Sequence, residues 1–148
     1  MVKFVTFYHS LEALLANIKI VLVETSHPGN IGGVARAMKN MGLSRLCLVN
    51  PKIFPSADAT SRASGADELL AKAEIHETLT GALQDCALVL GTSARLRTIS
   101  WPEIEPRSMP SLFDTLPEQT QIAIVFGREN SGLNNHELDL CQYLLHIP

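Results

Sequence analysis

I-K-I-V-L-V-E-T-S-H-P-G-N-I-G-G-V-A-R-A-M-K-N-M-G, residues 18–42, is the stretch that says most about the architecture. It begins with a short apolar run rich in β-branched residues, which is typical of a buried strand. After a polar, glycine-containing loop, Ile31, Val34, Met38 and Met41 recur at helical spacing, as in a helix that packs one face on a sheet. The stretch therefore predicts a strand, a loop and a helix over residues 31–41.

The same alternation continues through the rest of the chain. Further strands are predicted at residues 45–50, 73–76, 87–92, 122–127 and 143–147, and further helices at 59–70, 80–85, 111–116 and 135–141. Strands that alternate with helices favour an α/β fold with a mostly parallel sheet. Residues 93–110 contain three prolines and no clear period, so we predict a long exposed loop there.

Composition restricts the class of protein. The 148 residues, 46% hydrophobic and 18% charged, suit one soluble domain, and no apolar run approaches the ~20 residues of a membrane-spanning helix. The N-terminus lacks the pattern of a secretion signal. Cys47, Cys86 and Cys141 are widely spaced, so we expect reduced thiols, no metal site and a cytoplasmic protein.

The charge balance limits how the chain could bind nucleic acid. The net charge of −3 lacks the basic excess of a domain that binds phosphates by bulk electrostatics. Any RNA contact is therefore expected to be local.

Ligands of open α/β sheets bind beyond the carboxyl ends of the strands, so the loops at residues 25–33, 92–95 and 127–133 are candidates. The order G-N-I-G-G in the first loop does not match the G-x-G-x-x-G of dinucleotide sites. The alternative is structural: Asn30 caps the helix, and Gly32 and Gly33 let it approach the sheet.

Two further candidates have equally plausible structural explanations. Arg36 projects roughly opposite the apolar stripe of its helix, so it is either a solvated arginine or one that holds an RNA phosphate or a reacting hydroxyl. Arg128 and Glu129 follow a strand directly and are either a solvated pair or part of a site. The sequence has no G-x-S-x-G elbow to support covalent hydrolysis.

Three segments together resemble a known family. V-E-T-S-H-P-G-N-I-G-G-V-A-R-A-M-K-N-M-G (residues 23–42), L-G-T-S-A-R (90–95) and V-F-G-R-E-N-S-G-L (125–133) are similar to the motifs of the SpoU-type RNA ribose methyltransferases of the SPOUT superfamily. E-T-S-H-P-G-N and G-T-S-A-R-x-R resemble the TrmJ branch most. That branch uses S-adenosyl-L-methionine (SAM) to methylate the 2′-oxygen of cytidine or uridine 32 in the tRNA anticodon loop.

The resemblance implies a Rossmann-like parallel sheet with a C-terminal trefoil knot, and a homodimer in which the partner completes each site. Residues 1–17 are expected to be an N-terminal extension and residues 18–148 the methyltransferase domain. The family's third motif, an S-x-N-L-type loop and helix that closes the knot, and its tRNA-binding extension are expected after Pro148. The alternative is an inactive or truncated RNA- or SAM-binding module of the same fold.

The resemblance also assigns roles to individual residues. The cofactor residues implied are Thr92, Ser93, Ala94, Gly127 and Ile147, with Gly127 under the adenosine and Ile147 against the adenine. The catalytic residues implied are Asn30, Arg36 and Glu129. From the charge pattern around the site, we expect the RNA contacts to be Arg36, Arg95, Arg97 and Arg128.

Overall fold

The computed structural model describes residues 10–93 and 101–147. Its strands are β1 (Ile18–Val23), β2 (Arg45–Val49), β3 (Glu74–His76), β4 (Leu88–Ser93), β5 (Glu103–Ile104), β6 (Ile122–Phe126) and β7 (Tyr143–His146). Its α-helices are α1 (Leu11–Ala16), α2 (Pro28–Met41), α3 (Ala57–Ala63), α4 (Asp67–Ala71), α5 (Leu79–Ala82), α6 (Met109–Phe113) and α7 (Asn135–Leu138). A short 3₁₀ helix (Pro106–Ser108) precedes α6.

The strands form one sheet in the order β3-β2-β1-β6-β4-β7-β5, and every pairing between them is parallel. The predicted α/β fold with a parallel sheet is confirmed. β7 lies between β4 and β5, although both precede it in the chain. The C-terminal knot stays a prediction.

Alternate side chains of the strands build two apolar layers, one on each face of the sheet. Ile20, Leu22, Leu48, Leu90 and Ile124 face the side that α2, α3 and α6 cover. The opposite layer contains Val21, Val23, Val49, Val89 and Val125, with α5 and α7. Because both faces are covered, the strands read as continuous apolar runs in the sequence.

α2 ends at Met41 as predicted, but it begins earlier than predicted and its last residue is not buried. It begins at Pro28 with His27 as the N-cap residue, so Asn30 lies inside the first turn and the predicted Asn30 cap is wrong. Proline suits the first helical turn because a backbone N–H there has no intrahelical partner, so the N–H that proline lacks is not missed. At the other end Met41 is 64% exposed rather than part of the buried stripe, and Leu43, after the turn at Gly42, is buried instead.

The two neighbouring glycines of α2 have different surroundings. A Cβ on Gly32 would lie 2.1 Å from the Ala59 carbonyl oxygen, so Gly32 allows close packing on α3. A Cβ on Gly33 would meet nothing within 4 Å. The prediction that Gly32 and Gly33 let α2 approach the sheet is therefore wrong. Of the two, only Gly32 lies at a close contact, and that contact is with α3 and not with the sheet.

Two predicted segments also divide differently. The helix predicted over 59–70 is two helices, because Ser64 (φ 47°) and Gly65 (φ 92°) take left-handed conformations that end α3. The loop predicted over 93–110 is partly wrong, since it contains β5, paired with β7, and the 3₁₀ helix. Residues 94–100 of that loop lie outside the described residues. Also unpredicted, α1 lies in the proposed extension, and Ser10 caps it.

The cysteines within the described ranges are all free. Burial raises the pKa of Cys47 to about 11 and that of Cys141 to about 12, which leaves both as thiols near neutral pH. Among residues 10–93 and 101–147, no helix combines the length and apolar character that crossing a membrane requires.

Candidate active site

β1, β6, β4 and β7 are neighbours in the sheet, so their carboxyl ends and the loops that follow meet at one edge. A cleft of about 470 Å³ opens there, which we call the strand-end cleft. Its lining comprises Thr92, Ser93, Phe126, Gly127, Arg128, Glu129, Asn130, Ser131, Gly132 and Ile147. Four of the five predicted cofactor residues thus lie together, and the fifth, Ala94, is outside the described residues.

A tight hairpin after β6 forms one wall of this cleft. The Arg128 N–H donates to the Gly132 carbonyl at 3.3 Å, and the Gly132 N–H donates back at 2.9 Å. A Cβ on Gly127 would lie 2.2 Å from the Gly132 carbonyl carbon and 2.3 Å from the Leu133 nitrogen. Only glycine fits under this turn without moving the backbone.

The ends of β4 and β7 form the base of the cleft. The Thr92 hydroxyl donates to the Val125 carbonyl at 3.0 Å, which ties β4 to β6 by a side chain as well as by the ladder. The Ile147 N–H donates to the Ser93 carbonyl at 2.9 Å, so Ile147 stays next to β4 after β7 has ended.

An apolar groove of about 450 Å³ adjoins the strand-end cleft. It lies over the sheet between α2 and the segment at Pro106 and Met109, and its lining includes Ile20, Leu22, Val34 and Ile124. Phe126, Gly127, Glu129 and Ile147 line both spaces, so the two are continuous. Thr25 and Asn30 also line the groove.

Glu129 fastens the loop after β1 to the hairpin. Its two carboxylate oxygens each lie 3.1 Å from the Ser26 backbone nitrogen, and the Ser26 hydroxyl donates to one of them as well. Asn30 and Glu129, two of the three predicted catalytic residues, therefore border the same groove.

Arg36, the third predicted catalytic residue, is exposed and lines neither the groove nor the cleft. It lies between Gly32 and Lys39 at the spacing of one helical stripe. That stripe is directed toward the α3 region, because Gly32 packs on Ala59 and Lys39 donates to the Gly65 carbonyl at 2.6 Å. A single chain does not bring Arg36 to Asn30 and Glu129.

Arg128 is engaged by carboxylates. Its guanidinium donates to both oxygens of Glu137, at 2.9 and 3.0 Å, and to Glu24. The hydrogen bond to Glu137, followed by that to Glu24, raises the pKa of Arg128 above its ordinary value despite burial. Its RNA contact stays a prediction, as do those of Arg95 and Arg97, which lie outside the described residues.

Sequence reasoning missed the residues that hold these loops, namely Glu24, Ser26, Glu137 and Lys52. Lys52 pairs with Glu24 at 3.3 Å, and the hydrogen bond from Arg128 is the main cause that lowers the pKa of Glu24. Glu137 had a local signal, because it follows Asn134 by three residues and forms a capping box with it. No local sequence pattern indicated the partners of Glu24 and Ser26.

A parallel α/β sheet with helices on both faces and a cleft at its carboxyl edge is a domain of the doubly wound type. Within the described ranges, no group of histidine, cysteine and acidic side chains is arranged to hold a metal ion. Residues 17–148 match the SpoU rRNA Methylase family, and the chain belongs to that family.

Its relatives include tRNA methyltransferases. The chain is 54% identical over 136 residues to the tRNA (cytidine/uridine/adenosine-2′-O-)-methyltransferase TrmJ of Pseudomonas aeruginosa, covering 91% of this chain and 53% of that protein. Among solved structures, a probable methylase family protein from Haemophilus influenzae is 48% identical, with a TM-score of 0.84 over 90% of this chain and 56% of the other. TrmJ from Z. mobilis is 34% identical, with a TM-score of 0.84 over 90% and 59%.

The chain spans about half the length of the curated relatives it matches. The SpoU methyltransferase AviRb from Streptomyces viridochromogenes, solved in complex with AdoMet, shares the fold at 18% identity, with a TM-score of 0.66 over 88% of this chain and 50% of the other.

Proposed function

We propose that this chain is the catalytic domain of a SAM-dependent tRNA ribose 2′-O-methyltransferase that acts on cytidine or uridine 32 of the anticodon loop, in the cytoplasm. The observation that supports this most is that Thr92, Ser93, Gly127 and Ile147, distant in sequence, line one cleft. The cleft continues past Glu129 into the groove that Asn30 borders. The TrmJ relatives support the substrate class.

The strand-end cleft suits SAM in size and chemistry. Its volume of about 470 Å³ lies in the range of small-molecule sites, and its lining combines backbone groups and small polar side chains with Phe126 and Ile147. Gly127 lets the hairpin after β6 fold tightly, and this shapes the wall of the cleft against which the adenosine would lie. When bound, SAM supplies a methyl group already activated by a positively charged sulfur.

The protein's own part in the reaction is then to position the ribose and manage its proton. Asn30, in the first turn of α2, would orient the ribose, and Glu129 would keep the loop after β1 against the hairpin through Ser26. A guanidinium donates hydrogen bonds and accepts none, so Arg36 would hold the adjacent phosphate and stabilise charge on the reacting oxygen, while the proton passes to phosphate or water. Positioning of this kind supplies several kcal/mol of the barrier.

A second copy of the chain would complete the site. Arg36 is exposed on the far side of α2 from the groove, so an Arg36 from one protomer would act at the cleft of the other. Light scattering at micromolar concentration should give a dimer. A monomer that retains full activity would contradict this arrangement.

Removing a single oxygen atom from the tRNA tests which atom accepts the methyl group. Transfer from labelled SAM should occur to a tRNA with cytidine or uridine at position 32, and should be lost when that single nucleotide carries a 2′-deoxyribose. The matched control is a 2′-deoxyribose at a neighbouring loop position, which should leave transfer unchanged. Continued transfer to the 32-deoxy tRNA would show that the acceptor is another atom.

The alternative is a SAM- or RNA-binding module without activity, and the position of Arg36 outside the groove and the cleft of its own chain favours it. Calorimetric titration with SAM separates the two. Saturable SAM binding with methyl transfer supports the enzyme, and SAM binding without transfer under any condition supports the module.

A further inference from the structure

Four side chains of alternating charge run along the carboxyl edge of the sheet, in the order Glu137, Arg128, Glu24, Lys52; we call them the charge ladder. Arg128 donates to Glu137 at 2.9 and 3.0 Å and also to Glu24. Lys52 lies 3.3 Å from the other oxygen of Glu24. The ladder joins α7, the hairpin after β6, the end of β1 and the loop after β2.

The central pairs of the ladder are sheltered. The side chains of Arg128, Glu137 and Glu24 are 24%, 12% and 27% exposed. Two-pronged arginine–carboxylate pairs with little solvent are directional as well as strong. Glu24 moreover holds a left-handed backbone conformation, φ 51°, which residues other than glycine rarely adopt and which needs surrounding structure to maintain it.

The terminal donors of Arg128 are committed within the ladder. One terminal nitrogen donates to Glu137 and, at 3.2 Å, to the Gly132 carbonyl, and the other donates to Glu137 and Glu24. Turning the guanidinium toward an RNA phosphate would take this cation from Glu137 and leave Glu24 with Lys52 alone, which is costly for carboxylates that are only 12% and 27% exposed.

Arg128 and its neighbour Glu129 hold the two ends of one loop. Arg128 binds Glu24, and Glu129 binds Ser26 two residues later. The loop leads directly into α2 and Asn30, while the hairpin that carries Arg128 and Glu129 is a wall of the strand-end cleft. The spacing between cleft and groove therefore depends on both contacts.

We propose that Arg128 is a positioning residue for methyl transfer, which sets the distance between the cofactor cleft and the start of α2, and that it is not an RNA phosphate contact. This inference rests on the proposed function. Loss of the guanidinium should loosen the cleft wall and misplace Asn30 and Glu129, which lowers turnover more than tRNA binding.

The test compares Arg128→Gln, Arg128→Lys and Glu137→Gln in the full chain. Glu137→Gln removes a ladder charge but retains a side-chain oxygen for the Asn134 N–H, so the cap of α7 persists. Arg107→Gln is the matched control, because Arg107 is 89% exposed, pairs only loosely with Glu105 and lines neither space. The readouts are SAM affinity by calorimetry, kcat and KM for tRNA, and tRNA affinity across a salt series.

Arg128→Gln should reduce kcat by about tenfold or more, since small misplacements are costly in catalysis, and should weaken SAM binding several-fold while KM for tRNA changes less than about twofold. Glu137→Gln should give a smaller loss of the same kind, and Arg128→Lys should restore part of it. The slope of log affinity for tRNA against log salt should equal that of Arg107→Gln.

A slope reduced by roughly 0.7–0.9 in Arg128→Gln alone, with SAM affinity unchanged, would identify a phosphate contact and overturn the proposal. Full turnover in Arg128→Gln would overturn it as well. If Arg128→Gln does not fold, Glu137→Gln and Arg128→Lys carry the same comparison. Failure of the proposed function would be distinguishable from failure of this inference. In that case the unmodified chain would transfer no methyl group to tRNA, but the SAM affinities of the variants could still be compared.

Discussion

Lys19 and Asp85 form an ion pair, 2.9 Å from ammonium nitrogen to carboxylate oxygen, in which the lysine side chain is 1% exposed. Lys19 is the second residue of β1, so this pair lies at the opposite edge of the sheet from the strand-end cleft. The ammonium also donates to the Ala82 carbonyl at 2.9 Å and lies 3.5 Å from Glu74. Three oxygen partners therefore surround a charge that would otherwise be buried at high cost.

Removing the carboxylate of Asp85 should destabilise the fold. Asp85→Ala leaves Lys19 with the Ala82 carbonyl and Glu74 as its partners among the described residues, and breaking one side of a buried pair costs about 3–5 kcal/mol. Because Asp85 itself is 48% exposed, we expect a loss nearer about 2–3 kcal/mol in the free energy of unfolding. Urea unfolding would measure it, with Glu68→Ala, which breaks the exposed pair to Lys72, as a control that changes little. Equal stability of the two variants would contradict the argument.

The same pair predicts a loss of stability in acid. Burial would raise the pKa of Asp85, but hydrogen bonds from Arg45 and Lys19 outweigh it and hold that pKa well below its ordinary value. A depressed folded-state pKa means that the stabilisation is complete above the unfolded value of about 3.9 and is lost as pH falls below it. Urea unfolding at pH 6 and pH 3 should show a smaller difference for Asp85→Asn than for the unmodified chain. An identical difference would mean that Asp85 contributes nothing in this range.

Gly32 and Gly33 should respond in opposite directions to the same substitution. Gly32→Ala places a Cβ 2.1 Å from the Ala59 carbonyl oxygen and should destabilise by about 1–3 kcal/mol, as overpacking does. Gly33→Ala meets open space and should stabilise the helix by about 0.5–1 kcal/mol. Thermal unfolding of both variants checks this. If both variants lost stability, the loss in Gly32→Ala would reflect a general intolerance of α2 to alanine and not its contact with α3.

Gly127→Ala should remove SAM binding. Its Cβ would enter the backbone of Gly132 and Leu133, so the hairpin must move and the cleft wall with it. Calorimetry with SAM is the direct measurement. Gly32→Ala serves as the control, since it strains the fold away from the strand-end cleft and should lower the melting temperature while SAM still binds. Unchanged affinity in Gly127→Ala would show that the cofactor lies elsewhere.

Arg36→Ala should abolish methyl transfer with SAM affinity within a few-fold of the unmodified chain, because the proposed role of Arg36 is to hold the RNA phosphate and the reacting oxygen and not the cofactor. Arg36→Lys should also fail, since an ammonium does not reproduce the planar fork of donors. Transfer assays and SAM titration on both variants test this. Near-normal turnover in Arg36→Lys would rule out a fork-specific role.

Local pattern was enough for the family and for most of the elements, although α1 and β5 were not predicted. The apolar run at 18–23 and the helical spacing after it predicted β1 and α2. A strand covered on both faces is apolar along its length, and a helix packed on a sheet is apolar on one face, so each leaves its own pattern in the sequence. The three motifs after β1, β4 and β6 were sufficient to identify the family, which the match over residues 17–148 confirms. Boundaries were less reliable where a single residue sets them, as at Pro28, Ser64 and Gly65.

Side-chain partners required the folded chain. Arg128 and Glu24 are 104 residues apart and Lys19 and Asp85 are 66, so no short-range period links either pair. Arg128 meets Glu24 because β6 lies beside β1, so the loops after these two strands are neighbours at the carboxyl edge of the sheet. Lys19 meets Asp85 because the turn before β4 comes to the opposite edge, where β1 begins. The different surroundings of Gly32 and Gly33, and the position of Arg36 outside the groove, likewise follow from which helix lies next to α2. Periodicity reports which side of an element is buried, whereas its neighbour is chosen by the packing of the whole chain.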